Sequence, residues 1–298
     1  MATPQFMPAQ HPSLRSLAAL LLLALMWGLS IPVTKLGLQS LPPLTLTALR
    51  FAIAMPILLP FAFGKRWVPW RRMPRIAALG VLGIGVGQVA QTYGVVGTSA
   101  SVGTIVSATI PLFVVVFAAV RLRQPVSAWQ KAGLLTAFAG IALVALDTDT
   151  STFSGSSAAG IAWMLLSSIA IAFYYVWGVE LTREYGTTAL AAWSTFFGFL
   201  ALLPWAVWET QHVQFAVTAE GLVSAAYLGI VVTVAGLFMW LNLLRTVPAR
   251  MAASVQYLQP IIGVAVSAAI FGDRLGLLFA AGVVLVLAGL ALTMSRTR

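Results

Sequence analysis

Apolar residues fill this chain in long, nearly unbroken stretches separated by short polar gaps. The stretches fall at 14–38, 44–63, 76–96, 99–120 and 128–146, and again at 158–179, 187–208, 218–243, 251–271 and 275–294. A helix that crosses the hydrocarbon core of a bilayer needs about 20 such residues. A membrane barrel would show short segments that alternate apolar and polar instead. The pattern predicts an all-α membrane protein with ten transmembrane helices and no strands. The first stretch, led by Arg15, reads as a retained helix: it stays apolar past Trp27, and no small-residue cleavage site follows.

Composition supports lipid as the solvent. Of 298 residues, 60% are apolar and 8% are charged, against roughly 45–50% and about 25% in a soluble domain. A soluble fold of this composition would expose more apolar surface than water tolerates. Cysteine is absent, which excludes disulfides and thiolate metal sites; no metal and no cofactor is expected. The net charge of +10 is a matter of topology. With the N-terminus in the cytoplasm, the cytoplasmic segments hold all of the 17 Lys and Arg except Lys35, Arg50 and Arg274. Asp147, Asp149, Glu209, Glu220 and Asp273 then lie outside. This is the one-sided bias of inner-membrane proteins, and it places both termini in the cytoplasm. A nucleic-acid partner would need a basic face on a soluble domain, for which the short gaps leave no room.

The chain also resembles itself. At an offset of 149, residues 77–143 align without gaps on 226–292. Leu79, Gly80, Gly87, Pro111, Gly133 and Gly140 fall on Leu228, Gly229, Gly236, Pro260, Gly282 and Gly289. At an offset of 148, Thr34, Thr47, Phe51 and Pro56 fall on Thr182, Thr195, Phe199 and Pro204. Matches of Ala or Leu mean little in apolar segments, but Pro and Gly change helix geometry. Each copy holds five helices, an odd number, so the second enters the membrane from the opposite side. The expected organisation is two inverted-topology repeats, 1–147 and 148–298, in one integral membrane domain. Such repeats mark transporters that work by alternating access.

Several residues sharpen the assignment. They are Trp27-Gly28 ahead of Pro32 and Lys35, Pro42-Pro43 followed by Leu49-Arg50-Phe51, and the Pro111 and Pro260 helices ahead of Gly133 and Gly140. With the five-plus-five repeat, they make the chain resemble the EamA type of the drug/metabolite transporter superfamily. Within it the chain is similar to bacterial inner-membrane exporters of amino acids, aromatic ones included.

Transporter sites of this design lie near the midplane, between the repeats, where helices are broken or kinked. Pro111 and Pro260 are repeat mates and candidate hinges. Gln256 and Gln259 share a face beside Pro260, with Tyr257 adjacent; Ser107 is the mate of Gln256. The third helix carries Gln88, Gln91 and Tyr93, and its mate, the eighth, carries Trp240 and Asn242. Trp163, Tyr174 and Trp177 fall on one face of the sixth helix; each Trp serves equally well as an interfacial anchor. These are the candidate substrate-binding residues: amides and aromatic rings, suited to a zwitterion with an apolar side chain.

Arg50 lies inside a span, about two turns from its outer end. It is expected to snorkel outward to loop carbonyls near Pro42-Pro43, with capture of a substrate carboxylate as the minor alternative. Lys35 is nearer to water and carries no assigned role. Gly80, Gly83 and Gly87 read as a packing stripe. Gly133-Ala137-Gly140 with Gly282 and Gly289 reads either as a dimer seam or as a contact within the chain.

None of the seven carboxylates falls in mid-span, and His11 and His212 are in loops. Proton coupling lacks its titrating group, and a hydrolase lacks its parts. The function expected is export of small metabolites, foremost aromatic and other hydrophobic amino acids, by facilitated diffusion. Another neutral or drug-like metabolite is the alternative substrate, and a scaffold or receptor without transport ranks below both. The expected partners are the small-molecule substrate and membrane lipid.

Overall fold

The computed structural model describes residues 14–63, 67–146, 156–247, 254–273 and 275–294. Lys65, Arg66, Arg250, Arg274, Arg296, Arg298, Asp147, Asp149, His11 and the start of the ninth stretch at 251–253 lie outside the described residues. The helical units are α1 (Leu14–Gly37), α2 (Pro43–Phe63), α3 (Trp70–Val96), α4 (Ala100–Arg121), α5 (Ala128–Leu146), α6 (Ala158–Trp177), α7 (Thr187–His212), α8 (Ala219–Thr246), α9 (Ser254–Phe271) and α10 (Leu277–Met294). Among the described residues there is no strand, and nine units are long and apolar enough to cross a membrane; α9 is a shorter apolar helix. In lipid every backbone polar group must find its partner internally, which helices achieve within a single segment.

Cross-chain contacts sort the loops into two ends. At one end lie the starts of α1, α3, α5, α7 and α9, the ends of α2, α4, α6 and α8, and most of the described Lys and Arg. We call it the basic end. The other, the acidic end, carries Glu209, Glu220 and Asp273. The even-numbered helices begin at the acidic end, and in α4, α6 and α8 the first N–H groups are capped there. The Ser99 hydroxyl accepts from Val102 N–H, Ser157 from Gly160 N–H, and Thr218 from Gly221 N–H. These short polar side chains supply the acceptor that the first turn lacks. α2 opens with Pro43 in its first turn, behind extended Pro42, where the missing N–H costs nothing.

Three units are interrupted. α1 breaks between Gly28 and Ser30, and the short helix Val179–Tyr185 follows α6 across Gly178. α4 breaks at Ala108 and Thr109, just ahead of Pro111; proline clashes with the preceding turn and withholds a hydrogen bond. Its repeat mate Pro260 lies inside an unbroken helix. α3 and α8 instead carry wide turns with the i→i+5 pattern, over Gly80–Gly85 and Tyr227–Ala235. Such segments are rare and cluster at functional sites.

The glycines explain how closely the helices pack. A Cβ at Gly80 would run into the Ser194 carbonyl of α7, one at Gly83 into Tyr174, and one at Gly87 would lie 3.0 Å from Ile171. The stripe on α3 is thus a packing surface against α6 and α7. α5 and α10 meet along their length within one chain: a Cβ at Gly133 would lie 2.6 Å from Gly289 O, and one at Gly140 would lie 2.7 Å from Gly282 O. That contact occupies the surface which the sequence offers equally to a dimer seam.

Candidate functional site

α2 and α8 approach until a Cβ on Gly229 would stand 2.7 Å from the carbonyl of Arg50. At this seam Arg50 Nε donates to Thr233 Oγ1 at 3.0 Å, and Nη1 donates to Gln88 Oε1 at 2.6 Å. Arg50 therefore points inward, towards α3 and α8. It does not reach out to the loop at Pro42-Pro43, as the sequence suggests. The outward position is taken by Lys35, whose ammonium donates to Val95 O at 2.8 Å and Thr98 O at 2.7 Å. A cation on the carbonyl end of a helix is well placed.

The wide turn of α8 shapes the seam. Thr233 donates to Leu228 O, five residues back, at 2.8 Å. Trp27 Nε1 donates to Val232 O at 3.2 Å, and Tyr227 OH donates to Met26 O at 3.1 Å. Gly236 leaves room for the Trp27 indole, whose ring lies 5.7 Å from that of Trp240. α1, α2, α3 and α8 thus bring together one guanidinium, one amide, one hydroxyl and two indoles.

The other sequence candidates are more dispersed. Gln88 and Trp240 belong to the seam. Gln91 is partly accessible on α3. Tyr93 lies 5.7 Å from Trp163, which is 42% exposed. Tyr174 is buried against Gly83, in a cluster with Ile76, Leu79 and Leu190. Trp177 packs with Phe173 and Phe117. Ser107 is buried and donates to Thr104 O at 2.8 Å. Asn242 is exposed near the basic end, its carbonyl bonded by Thr246. Gln256 and Gln259 are partly accessible, and Tyr257 packs beside Leu112, Ala137 and Leu290. The Gln259 carbonyl faces Gly28, where α9 crosses the break in α1. Arg50 entered the sequence reading as an outward-facing cation, with carboxylate capture only as the minor alternative, and Thr233 did not enter it; an arginine inside an apolar run is the one signal that points to this pair.

Carboxylates lie at the two ends of the bundle. At the acidic end, buried Glu209 accepts from Thr45 N–H at 2.7 Å, Thr45 Oγ1 at 2.8 Å and Leu44 N–H at 3.3 Å, capping α2. Asp273 likewise accepts from Ser101 N–H in α4 at 3.0 Å. At the basic end, Glu180 takes Arg75 at 2.6 Å and Arg121 at 3.0 Å. The hydrogen bond from Arg75, and then the charge of Arg121, hold the Glu180 carboxyl below its ordinary range. Residues 1–146 contain no Asp or Glu, so each of these ties runs from an acid in the second half to a cation or helix start in the first.

The model of the EamA-like transporter family matches residues 14–146 and, separately, 158–295. Three relatives span most of the chain. An uncharacterized transporter of Archaeoglobus fulgidus is 27% identical, covering 89% of this chain and 93% of its own. The uncharacterized inner membrane transporter YedA of Escherichia coli is 26% identical, over 86% and 83%. A probable amino-acid metabolite efflux pump of Salmonella typhimurium is 28% identical, over 91% of each. A crystal structure with 15% sequence identity matches at a TM-score of 0.64, covering 94% of this chain and 96% of that one, a likeness of fold.

Proposed function

Since the chain belongs to the EamA-like transporter family and is a multi-pass membrane transporter rather than an enzyme, we propose that it exports amino acids across the bacterial inner membrane, foremost aromatic and other hydrophobic ones. The observation that carries this reading is the double match of the family model, once to each half of the chain. It supports ten helices in two five-helix inverted repeats, 1–147 and 148–298. The wide turns at Gly80–Gly85 and Tyr227–Ala235 lie at repeat-related positions and add support. The name of the Salmonella relative supports amino acids as cargo. The charge bias supports cytoplasmic termini.

In this reading the two halves rock about the seam, and the site opens to one side at a time. Trp27, Trp240, Gln88, Gln91 and Tyr93 form the wall of the site, with Gln256 and Gln259 facing it from α9. Pro111, at the break in α4, and Pro260 in α9 serve as hinges. The remaining sequence candidates, Ser107, Trp163, Tyr174, Trp177, Asn242 and Tyr257, support that wall from behind or from its rims. No proton is coupled: Glu180, Glu184, Glu209 and Asp273 hold contacts at the ends of the bundle.

Proteoliposomes loaded with radiolabelled phenylalanine test the proposal. Protein-dependent efflux should follow the phenylalanine gradient and be unaffected by a pH gradient of either sign. Absence of protein-dependent flux overturns the substrate. Uphill accumulation driven by a proton gradient and abolished by an ionophore overturns the uncoupled mechanism.

A further inference from the structure

Arg50 carries a full charge two turns inside a membrane span, where an ionised side chain is costly and marks function by default. Among the described residues its partners are neutral, Gln88 on α3 and Thr233 on α8. None of the ion pairs among the described residues includes it. Both N–H bonds of Nη2 and one of Nη1 remain without a partner there, and the side chain is partly accessible. A guanidinium with free donors on neighbouring nitrogens fits a carboxylate with two parallel hydrogen bonds. The indoles of Trp27 and Trp240 lie on the same stretch of α8 that holds Thr233, Trp27 through Val232 and Trp240 two turns on. They offer an apolar surface beside the charge.

The converse is equally informative. Glu209, Asp273 and Glu180 are bonded at the ends of the bundle. Among the described residues the seam therefore has a cation for a carboxylate, and no carboxylate is bonded there that would meet an ammonium.

We propose that Arg50 anchors the carboxylate of the transported molecule, and that the substrate class is monocarboxylates with an apolar or aromatic tail, for which an α-amino group is dispensable. This rests on the transport reading above and deepens it. Phenylalanine qualifies, and so does 3-phenylpropanoate, which has no amino group. 2-Phenylethylamine, which keeps the ring and the ammonium but has no carboxylate, does not.

The test uses the full chain in phosphatidylcholine nanodiscs for binding and in proteoliposomes for flux, with these three compounds as probes. Wild-type protein should bind and carry both carboxylates and reject the amine by at least tenfold. Arg50→Gln should lose tenfold or more in affinity for both carboxylates, while Arg50→Lys, which keeps the charge without the fork, should retain part of it. Lys35→Gln, at the acidic end, should leave the ranking of the three probes unchanged. If Arg50→Gln does not yield monodisperse protein, Arg50→Lys and the wild-type ranking decide. A purely structural strut at Arg50 would lower flux of any carried probe without altering the ranking. If 3-phenylpropanoate is carried and phenylalanine is not, the carboxylate anchor stands and amino-acid export falls. If phenylalanine is carried equally by wild type and Arg50→Gln, export stands and the anchor falls. Wild-type transport of the amine at the rate of 3-phenylpropanoate, or no binding of either carboxylate, also overturns the anchor.

Discussion

Replacing Glu209 with Ala should open the acidic end of the bundle. Glu209 is 4% exposed and is held by two short hydrogen bonds, 2.7 Å from Thr45 N–H and 2.8 Å from its hydroxyl; the third, from Leu44 at 3.3 Å, is weak. Hydrogen bonds to a charged acceptor contribute about 1.5–3 kcal/mol each. An open cleft of about 480 Å³, lined by Pro42, Pro43, Glu209 and Phe215, adjoins the tie. Two such bonds at the low end of the range make about 3 kcal/mol, and water from the cleft would satisfy part of what the carboxylate leaves, which brings the loss to about 2 kcal/mol for the whole tie. If the contact exists only when this end is closed, that difference shifts the closed-to-open ratio about 30-fold, at a factor of ten per 1.4 kcal/mol. Glu209→Gln, which keeps an acceptor and loses the charge, should shift it less.

The absence of cysteine makes the measurement clean. Ser101 is fully buried at this end of α4, so Ser101→Cys is a nearly isosteric reporter. Its labelling by a membrane-impermeant maleimide should be slow in the parent protein and about 30-fold faster with Glu209→Ala. Labelling within twofold of the parent, in protein that remains monodisperse, would refute the gating argument and leave Glu209 as a static cap of α2.

Three further outcomes are expected. Gly140→Leu should lower thermal stability by at least 1–3 kcal/mol, because a Cβ there would meet Gly282 O at 2.7 Å and Val286 N at 2.8 Å; an unchanged melting temperature would disprove the α5–α10 packing. Glu180 titrates below its ordinary range because of Arg75 and then Arg121, so its tie is fully present above the unfolded value of about 4.3 and is lost only as pH falls through the lower folded value. Flux should accordingly be flat when the pH at the basic end is varied between about 6 and 8, and a sigmoidal loss in that window would contradict it. Cysteines at exposed Gln214 and Gln124 should label from outside and inside the cell respectively; labelling of both from the same side would reject the topology.

The helices were legible because lipid imposes one requirement, a long apolar run, on every span. The described bounds of α5 at Ala128–Leu146 coincide with the stretch read from hydropathy. The breaks were partly legible, since Pro111 announces the one in α4, whereas nothing apart from glycine announces the wide turns. The seam was the least legible part. Arg50 meets its partners 38 and 183 residues away, and whether an arginine near a span end turns outward or inward depends on which polar partners the neighbouring helices offer it. Here Gln88 and Thr233 are those partners, and sequence order alone does not reveal that.

The wide turn in α3 has a consequence for how the chain can change length. Gly80–Gly85 holds more residues than an α-helical ladder of the same rise would need. Removal of one residue there would be absorbed by the helix as an ordinary turn, with no loop to repair and no hydrophobic run broken. A deletion in the plain α-helical stretch ahead of it, Met73–Leu79, would by contrast turn everything between it and the next loop by about 100° relative to what precedes it. Gln88 would swing away from Arg50 while the span remained a good span. In this helix the angular phase of the site is set by a count of residues, so a one-residue indel can erase recognition and leave membrane insertion intact.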